Sequence, residues 1–471
     1  MMFFDINRFH LIVLITWQFA VFYAAQMLFP IFSNYLPEWQ CGDGPVGKDC
    51  DEYRRCGGNV TFVDTAFYSA ALEFRWICDD SYWAAFCSQV QFFGVLVGTL
   101  SFGAISDLFG RRPVSLFVTS TGVLATLVSG MVGHMYLLFA VRFVIGLTMG
   151  GLIVVVTTYS MELLLPQQRI ILRGFVNWGT ARFMMTLICM FAKEWRFAVS
   201  LCAYVTAPAF FLIFFIFPES PTWLHSKGRL DEMRESEMKM ASRAGMAYVP
   251  VKHRKVEKGK SLLQLLRGGL FKRLAVLWMM WFTTSTCAYA TDLSSNRISG
   301  DFFVNQMLFG VLICISKLIL VAVDTNIPGF SRRNLHQGAQ LGAVICFGIL
   351  TYTWDACYLC AVESMETSSR ASATGSSSLV ARIGAIIAPT LTQLNHHWSA
   401  SVYCIVVVLG TINLVQSYLF LVETKGVFLD NVTVDEDHNA LPQSEEEAIF
   451  SNYLPEWHCG DGLVGKNCDE Y

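Results

Sequence analysis

The chain carries eleven stretches of about 20 predominantly apolar residues, and no other feature limits its fold so tightly. A run of that length, coiled as an α-helix, matches the hydrocarbon thickness of a bilayer. A helix also pairs its own backbone N–H and C=O groups where no water is present to do so. The stretches cover residues 11–31, 83–105, 114–132, 135–158, 175–192, 197–217, 274–290, 303–323, 341–362, 379–394 and 402–422. With 54% hydrophobic and only 15% charged residues, the chain is too apolar for a soluble core, so an all-α membrane protein is expected. Ala24 and Ala25 allow a signal-peptide reading of the first stretch, but the apolar run is long and only Arg8 precedes it, which favours an uncleaved span.

Charge sets the orientation. Residues 219–273 contain thirteen Lys and Arg, which marks this linker as cytoplasmic and, counted back through six spans, puts the N-terminus inside as well. Residues 32–82 then form an extracellular loop. Two of its features agree with that side. Cys41, Cys50, Cys56 and Cys78 are an even set able to pair in an oxidising compartment, in any of three connectivities, and Asn59-Val60-Thr61 is a glycosylation sequon. The expected layout is a six-span bundle over 1–218, the basic linker 219–273, a second bundle over 274–432, an acidic tail 433–448, and 449–471, which copies 31–53 with three differences. That copy repeats the end of a span and the start of a loop. It is read as the product of a tandem gene copy or a misplaced gene boundary.

The few charges at span ends recur in order in the two halves. Asp107 with Arg111 and Arg112, Glu162 with Arg169, and Pro218-Glu219-Ser220 in the first half answer to Asp324 with Arg332 and Arg333, Glu363 with Arg370, and Glu423-Thr424-Lys425-Gly426 in the second. Parallel duplication of this kind builds carriers whose two bundles rock about a central site. The repeat is imperfect: Arg112 to Glu162 is 50 residues, whereas Arg333 to Glu363 is 30. The second bundle is therefore short by about one span, with its ninth and tenth spans fused in 341–362. No nucleophile elbow, phosphate loop or metal-ligand spacing is present, which argues against an enzyme, a metal or a cofactor. A net charge of −3 gives no footprint for nucleic acid.

These residues resemble the organic anion and cation transporters (solute carrier family 22) of the major facilitator superfamily, in the form of an invertebrate member. The resemblance covers roughly residues 73–432. It rests on Gly103-Ala-Ile-Ser-Asp107-Leu-Phe-Gly110-Arg111-Arg112, Glu73-Phe-Arg-Trp76-Ile-Cys78-Asp79, Arg142-Phe-Val-Ile-Gly146, Pro218-Glu219-Ser220-Pro221-Thr-Trp223-Leu224 and Glu423-Thr-Lys-Gly426. It implies two pseudo-symmetric helical bundles of twelve spans in all, one more than are found here, and transport of a small organic ion by alternating access. The candidate exchange partner is a carboxylate, and the surroundings are a lipid bilayer, the plasma membrane.

Cations inside spans are the candidate substrate contacts: Arg182, Lys317 and Arg382 could converge on a central cavity and bind a carboxylate or sulfonate. The resemblance implies basic residues at the positions of Lys317 and Arg382 in anion carriers, and an acidic residue at the latter in cation carriers. Members handling carnitine-like zwitterions also have Arg there, so the cation or zwitterion alternative stays open. By the same resemblance Trp178 and Tyr289 fall where cavity aromatics are expected. Arg142 reads as structural, and Gly146, Gly150 and Gly151 as sites of close helix approach. Asp355 is the one acidic residue well inside an apolar stretch. Asp107, Arg111, Arg112, Glu162, Arg169, Glu363 and Arg370, paired across the halves, are expected to gate the cytoplasmic side. A different class of reading follows from the missing span, namely a truncated membrane protein that transports nothing.

Overall fold

The computed structural model describes residues 7–48, 50–63, 65–164, 178–248, 271–295, 300–326, 338, 367–394 and 401–420. All belong to the first of two units into which the chain divides, Met1–Val432 and Thr433–Tyr471. The stretch expected at 341–362 lies outside the described residues, as do Arg169, Arg332, Arg333, Asp355, Glu363 and the repeated tail.

Ten long helices account for the other ten stretches. They are α1 (Arg8–Ala25), α2 (Tyr82–Phe109), α3 (Arg111–Met131), α4 (Met135–Leu163), α5 (Trp178–Ala192), α6 (Trp195–Ile216), α7 (Phe271–Ser294), α8 (Phe302–Asn326), α9 (Thr367–Leu394) and α10 (Ser401–Phe420). Arg370 falls on α9 and Asp324 on α8. Among the described residues six helical stretches are long and apolar enough to cross a membrane: Arg8–Ser33, Cys78–Phe109, Arg111–Met131, Met135–Leu163, Trp195–Ile216 and Phe302–Ile319. Two more, Trp178–Ala192 and Cys404–Phe420, are apolar but shorter. α7 and α9 are less apolar for a physical reason. Thr283, Thr284, Ser285 and Thr286 of α7 and Ser376 and Ser377 of α9 are buried, and the two helices pack on one another, so their polar stripes meet protein instead of lipid.

α1 starts at Asn7, whose side chain accepts from His10 N at 2.9 Å, and it loses its regular winding at the 3-10 turn Gln26–Leu28 before the short helix Pro30–Ser33. The turn from α2 to α3 passes through Gly110, whose φ of +109° few side chains tolerate. The first turn of α3 is capped from a distance: Glu219 Oε1 accepts from the backbone N–H of Arg111 at 2.9 Å and of Arg112 at 3.1 Å. Within the first bundle α2 and α4 pack backbone to backbone. A Cβ on Gly146 would stand 2.9 Å from the Gln91 carbonyl carbon and 3.1 Å from Val95 N, and one on Gly98 would stand 2.8 Å from the Leu147 carbonyl carbon. α5 packs on α8 and α2 on α9, so the two halves of the chain meet along these pairs.

Between α1 and α2, strands β1 (Glu38–Gln40) and β2 (Thr61–Val63) pair antiparallel, with Trp39 opposite Phe62. Two disulfides, Cys41–Cys56 and Cys50–Cys78, select one of the three connectivities the sequence left open. Asn59 is exposed. The loop is clamped to the start of α6: Glu73 forms an ion pair with Arg196 and accepts from Trp195 Nε1 at 2.7 Å.

Candidate functional site

The irregular turn of α1 is where the two halves come together. Met27, on that turn, receives two contacts from the second half: Tyr289 Oη of α7 lies 3.7 Å from its sulfur and Arg382 Nη1 of α9 lies 4.0 Å from it. The Tyr289 ring meets Phe92 of α2 edge to face, with centroids 4.9 Å apart. Arg382 is only 5% exposed, its Nε has no hydrogen-bond partner, and no carboxylate among the described residues forms a salt bridge with it. A guanidinium so placed has lost its water and gained no counter-charge among the described residues. Of the residues expected at the site, Arg382 and Tyr289 are thus brought together. Trp178 opens α5, half-buried, and Lys317 is half-buried on α8.

Arg182 has a different neighbourhood. Its Nη1 donates to Asp292 Oδ1 at 2.5 Å, its Nη2 to Gln306 Oε1 at 2.7 Å, and its guanidinium lies 5.0 Å from the Phe309 ring centroid. Arg182, expected to converge with Lys317 and Arg382 on a central cavity, has both terminal nitrogens engaged by α7 and α8. Asp292 escaped the sequence because the apolar stretch stops at 290, while the helix runs on through Ser294. It stands in α7 as an intrahelical carboxylate, where the sequence had singled out only Asp355 inside an apolar stretch. Arg142, buried in α4, lies 5.1 Å from the Phe29 ring centroid and donates to Gln91 Oε1 at 3.5 Å.

At the opposite ends of the helices, toward the 219–273 linker, Arg111 donates to Asp107 at 2.5 Å and approaches Glu162 at 3.4 Å. These pairs lie within the first half; among the second-half set, Glu363 is outside the described residues. Arg112 donates to the Phe214 carbonyl at 2.7 Å. Glu219 completes the cluster, and burial pushes its carboxyl above the usual range despite the backbone N–H groups of Ser220, Arg112 and Arg111 that favour the charged form. Its motif was legible in the sequence, but its capping of a helix 108 residues earlier was not. Trp223 Nε1 donates to the Asp107 carbonyl at 3.1 Å and so ties the linker to the end of α2. No group of three or more His, Cys, Asp or Glu among the described residues could hold a metal ion.

Paired helical bundles meeting at a buried site near a broken helix are an architecture that many carriers share. Residues 49–360 match the family described as sugar (and other) transporter. An uncharacterized Caenorhabditis elegans protein is 32% identical, over 95% of this chain and 98% of its own length. Human solute carrier family 22 member 16 is 27% identical, over 86% and 75%, and the Drosophila melanogaster organic cation transporter protein is 25% identical, over 76% and 72%. Among solved structures, an inward open conformation of the xylose transporter from E. coli superposes with a TM-score of 0.59 at 14% identity, over 90% of this chain and 98% of that one, which shows the fold alone. The chain belongs to the sugar (and other) transporter family of the major facilitator superfamily, within its solute carrier family 22 branch. It is a multi-pass membrane protein of the transporter kind, and the plasma membrane is the typical location of its family.

Proposed function

We propose that this carrier moves small organic anions across the plasma membrane by alternating access, with the loop 32–82 outside and the linker 219–273 inside. The observation that supports this reading is Arg382. A buried guanidinium without a carboxylate partner among the described residues is costly at membrane depth, and an incoming carboxylate or sulfonate relieves that cost with charge-assisted, bidentate hydrogen bonds. Tyr289 and Phe92 stand beside it as ring surfaces for an aromatic substrate. In this reading Lys317 and Trp178 line the same path, and a carboxylate is the natural exchange partner, because the site binds that group in either direction. The charges around Arg111 act as the inner gate.

A second reading has support from the relatives, one of which is named an organic cation transporter. Uptake separates the two. Full-length protein in proteoliposomes should take up a labelled aromatic carboxylate in preference to a labelled tetraalkylammonium ion, and Arg382→Asp should abolish carboxylate uptake. Preferential tetraalkylammonium uptake that survives Arg382→Asp would establish the cation reading instead.

A further inference from the structure

Outside the Arg382 site, the strongest unassigned cluster is the seam where α5 of the first half meets α7 and α8 of the second. Backbone approach makes the seam: a Cβ on Gly179 would stand 2.6 Å from the Gly310 carbonyl oxygen, and one on Gly310 would stand 3.0 Å from that of Gly179. With the helices this close, Arg182, one turn from Gly179, reaches across to Asp292 and to Gln306, one turn from Gly310. Gln306 is itself oriented, since its Nε2 donates to Ser295 Oγ at 2.9 Å. Arg182 is 1% exposed and the Asp292 side chain 14%, so the guanidinium is buried and its carboxylate partner largely so.

One turn further toward the loop, the same face of α8 presents Phe302 and Phe303. These pack on rings of the first half. Tyr35 and Phe302 have centroids 4.5 Å apart, Phe32 and Phe302 5.5 Å, and Phe67 and Phe303 6.3 Å. Phe67 belongs to the disulfide-linked loop and is fully buried. Its neighbours fix it to the first half: Ser69 Oγ donates to the Tyr35 carbonyl at 2.6 Å, and Tyr68 N to the Lys193 carbonyl at 2.8 Å.

We propose that Arg182, Asp292 and Gln306 form the polar latch of the outer gate, beneath an aromatic seal made by Tyr35, Phe67, Phe302 and Phe303. Arg182 then serves transport by holding the two halves together, and its partner is Asp292, not the substrate. The inference rests on the alternating-access reading, in which the loop-side ends of the halves must separate to admit substrate. Separation breaks the ion pair and parts the rings together, because Asp292 on α7 and Gln306, Phe302 and Phe303 on consecutive turns of α8 all belong to the same half. Water replaces the lost partners only in the open state, so removing the Asp292 charge leaves a buried, unpaired Arg182 in the closed state and shifts the population toward open.

The test uses the full-length chain carrying Phe67→Cys and Phe303→Cys, cross-linked by a mild oxidant in intact cells without substrate, with the linked peptide quantified. Cross-linking should be rapid in this parent and slower by about tenfold or more after Asp292→Asn. The charge swap Arg182→Asp with Asp292→Arg should recover both cross-linking and uptake that Arg182→Asp alone removes. Parent-like cross-linking in Asp292→Asn, or a swap no better than Arg182→Asp, would overturn the latch. The cross-linking readout involves no substrate, so a wrong assignment of substrate class leaves it unmoved and is detected separately in the uptake of the parent. Surface labelling of each variant reports whether it folds, and Gln306→Ala, which spares both charges, should slow cross-linking less than Asp292→Asn does.

Discussion

Replacing Gly146 with alanine tests the backbone-to-backbone packing of α2 on α4. The added Cβ would lie 2.9 Å from the Gln91 carbonyl carbon and 3.1 Å from Val95 N, where ordinary van der Waals contact begins at 3.4 Å. All of these neighbours are backbone, so no rotamer change relieves the clash. α2 and α4 must move apart by at least about half an ångström, and a gap of that size forfeits roughly a quarter of each dispersion well along the seam. Overpacking of this kind costs about 1–3 kcal/mol. For a bundle of this size that corresponds to a fall in melting temperature of roughly 2–12 °C. The assay is size-exclusion chromatography of a fluorescent fusion after heating in detergent. Gly133→Ala is the control, since a Cβ there meets nothing within 4 Å and should leave the melting temperature unchanged. A Gly146→Ala protein as stable as the Gly133→Ala protein would refute the close packing of α2 on α4.

Three further outcomes follow from the loop and the inner cluster. Peptide mapping under non-reducing conditions should recover Cys41 linked to Cys56 and Cys50 linked to Cys78, and Asn59→Gln should abolish any shift produced by glycosidase; linkage of Cys41 to Cys50 would contradict the loop described here. Burial raises the Glu73 carboxyl, but hydrogen bonds from Arg196 and Trp195 and the Arg196 charge outweigh it and hold the group below 4.5. The clamp therefore contributes fully above pH 4.5 and is lost as pH falls through the lower folded value, so protease sensitivity of the loop should rise in acid below pH 4.5, and Glu73→Gln should be sensitive already at neutral pH. Glu219→Ala should leave the Arg111 and Arg112 N–H groups without their cap and lower the melting temperature by the equivalent of about 1–2 kcal/mol, whereas a change within error would show that water serves equally well.

Much of the helical framework was legible from apolar length alone, because in a bilayer that length is the dominant energy. The signal weakened where helices pack on protein: α7 begins and ends beyond its apolar stretch, and Asp292 sits in the extra turn. A hydropathy window has no means of seeing that a carboxylate at a helix end will be covered by a neighbouring Arg182. The motif Glu73-Phe-Arg-Trp76 and the Pro218-Glu219-Ser220 run were visible as patterns, but their partners, Arg196 in one case and the first turn of α3 in the other, are set by tertiary approach. The same limit applies to the four loop cysteines, where spacing permits three pairings and only the folded loop selects one. Arg382 was legible because an intramembrane cation is costly wherever it stands. Arg182 had the same sequence signal and a different environment.

The central claim is tested most directly by uptake of a labelled aromatic carboxylate into proteoliposomes holding the full-length chain, wild type against Arg382→Lys and Arg382→Asp. Saturable carboxylate uptake, weakened in Arg382→Lys because the bidentate fork is gone and absent in Arg382→Asp, is the expected result. Equal carboxylate uptake by all three proteins, or none by the wild type while a tetraalkylammonium ion enters, would contradict it.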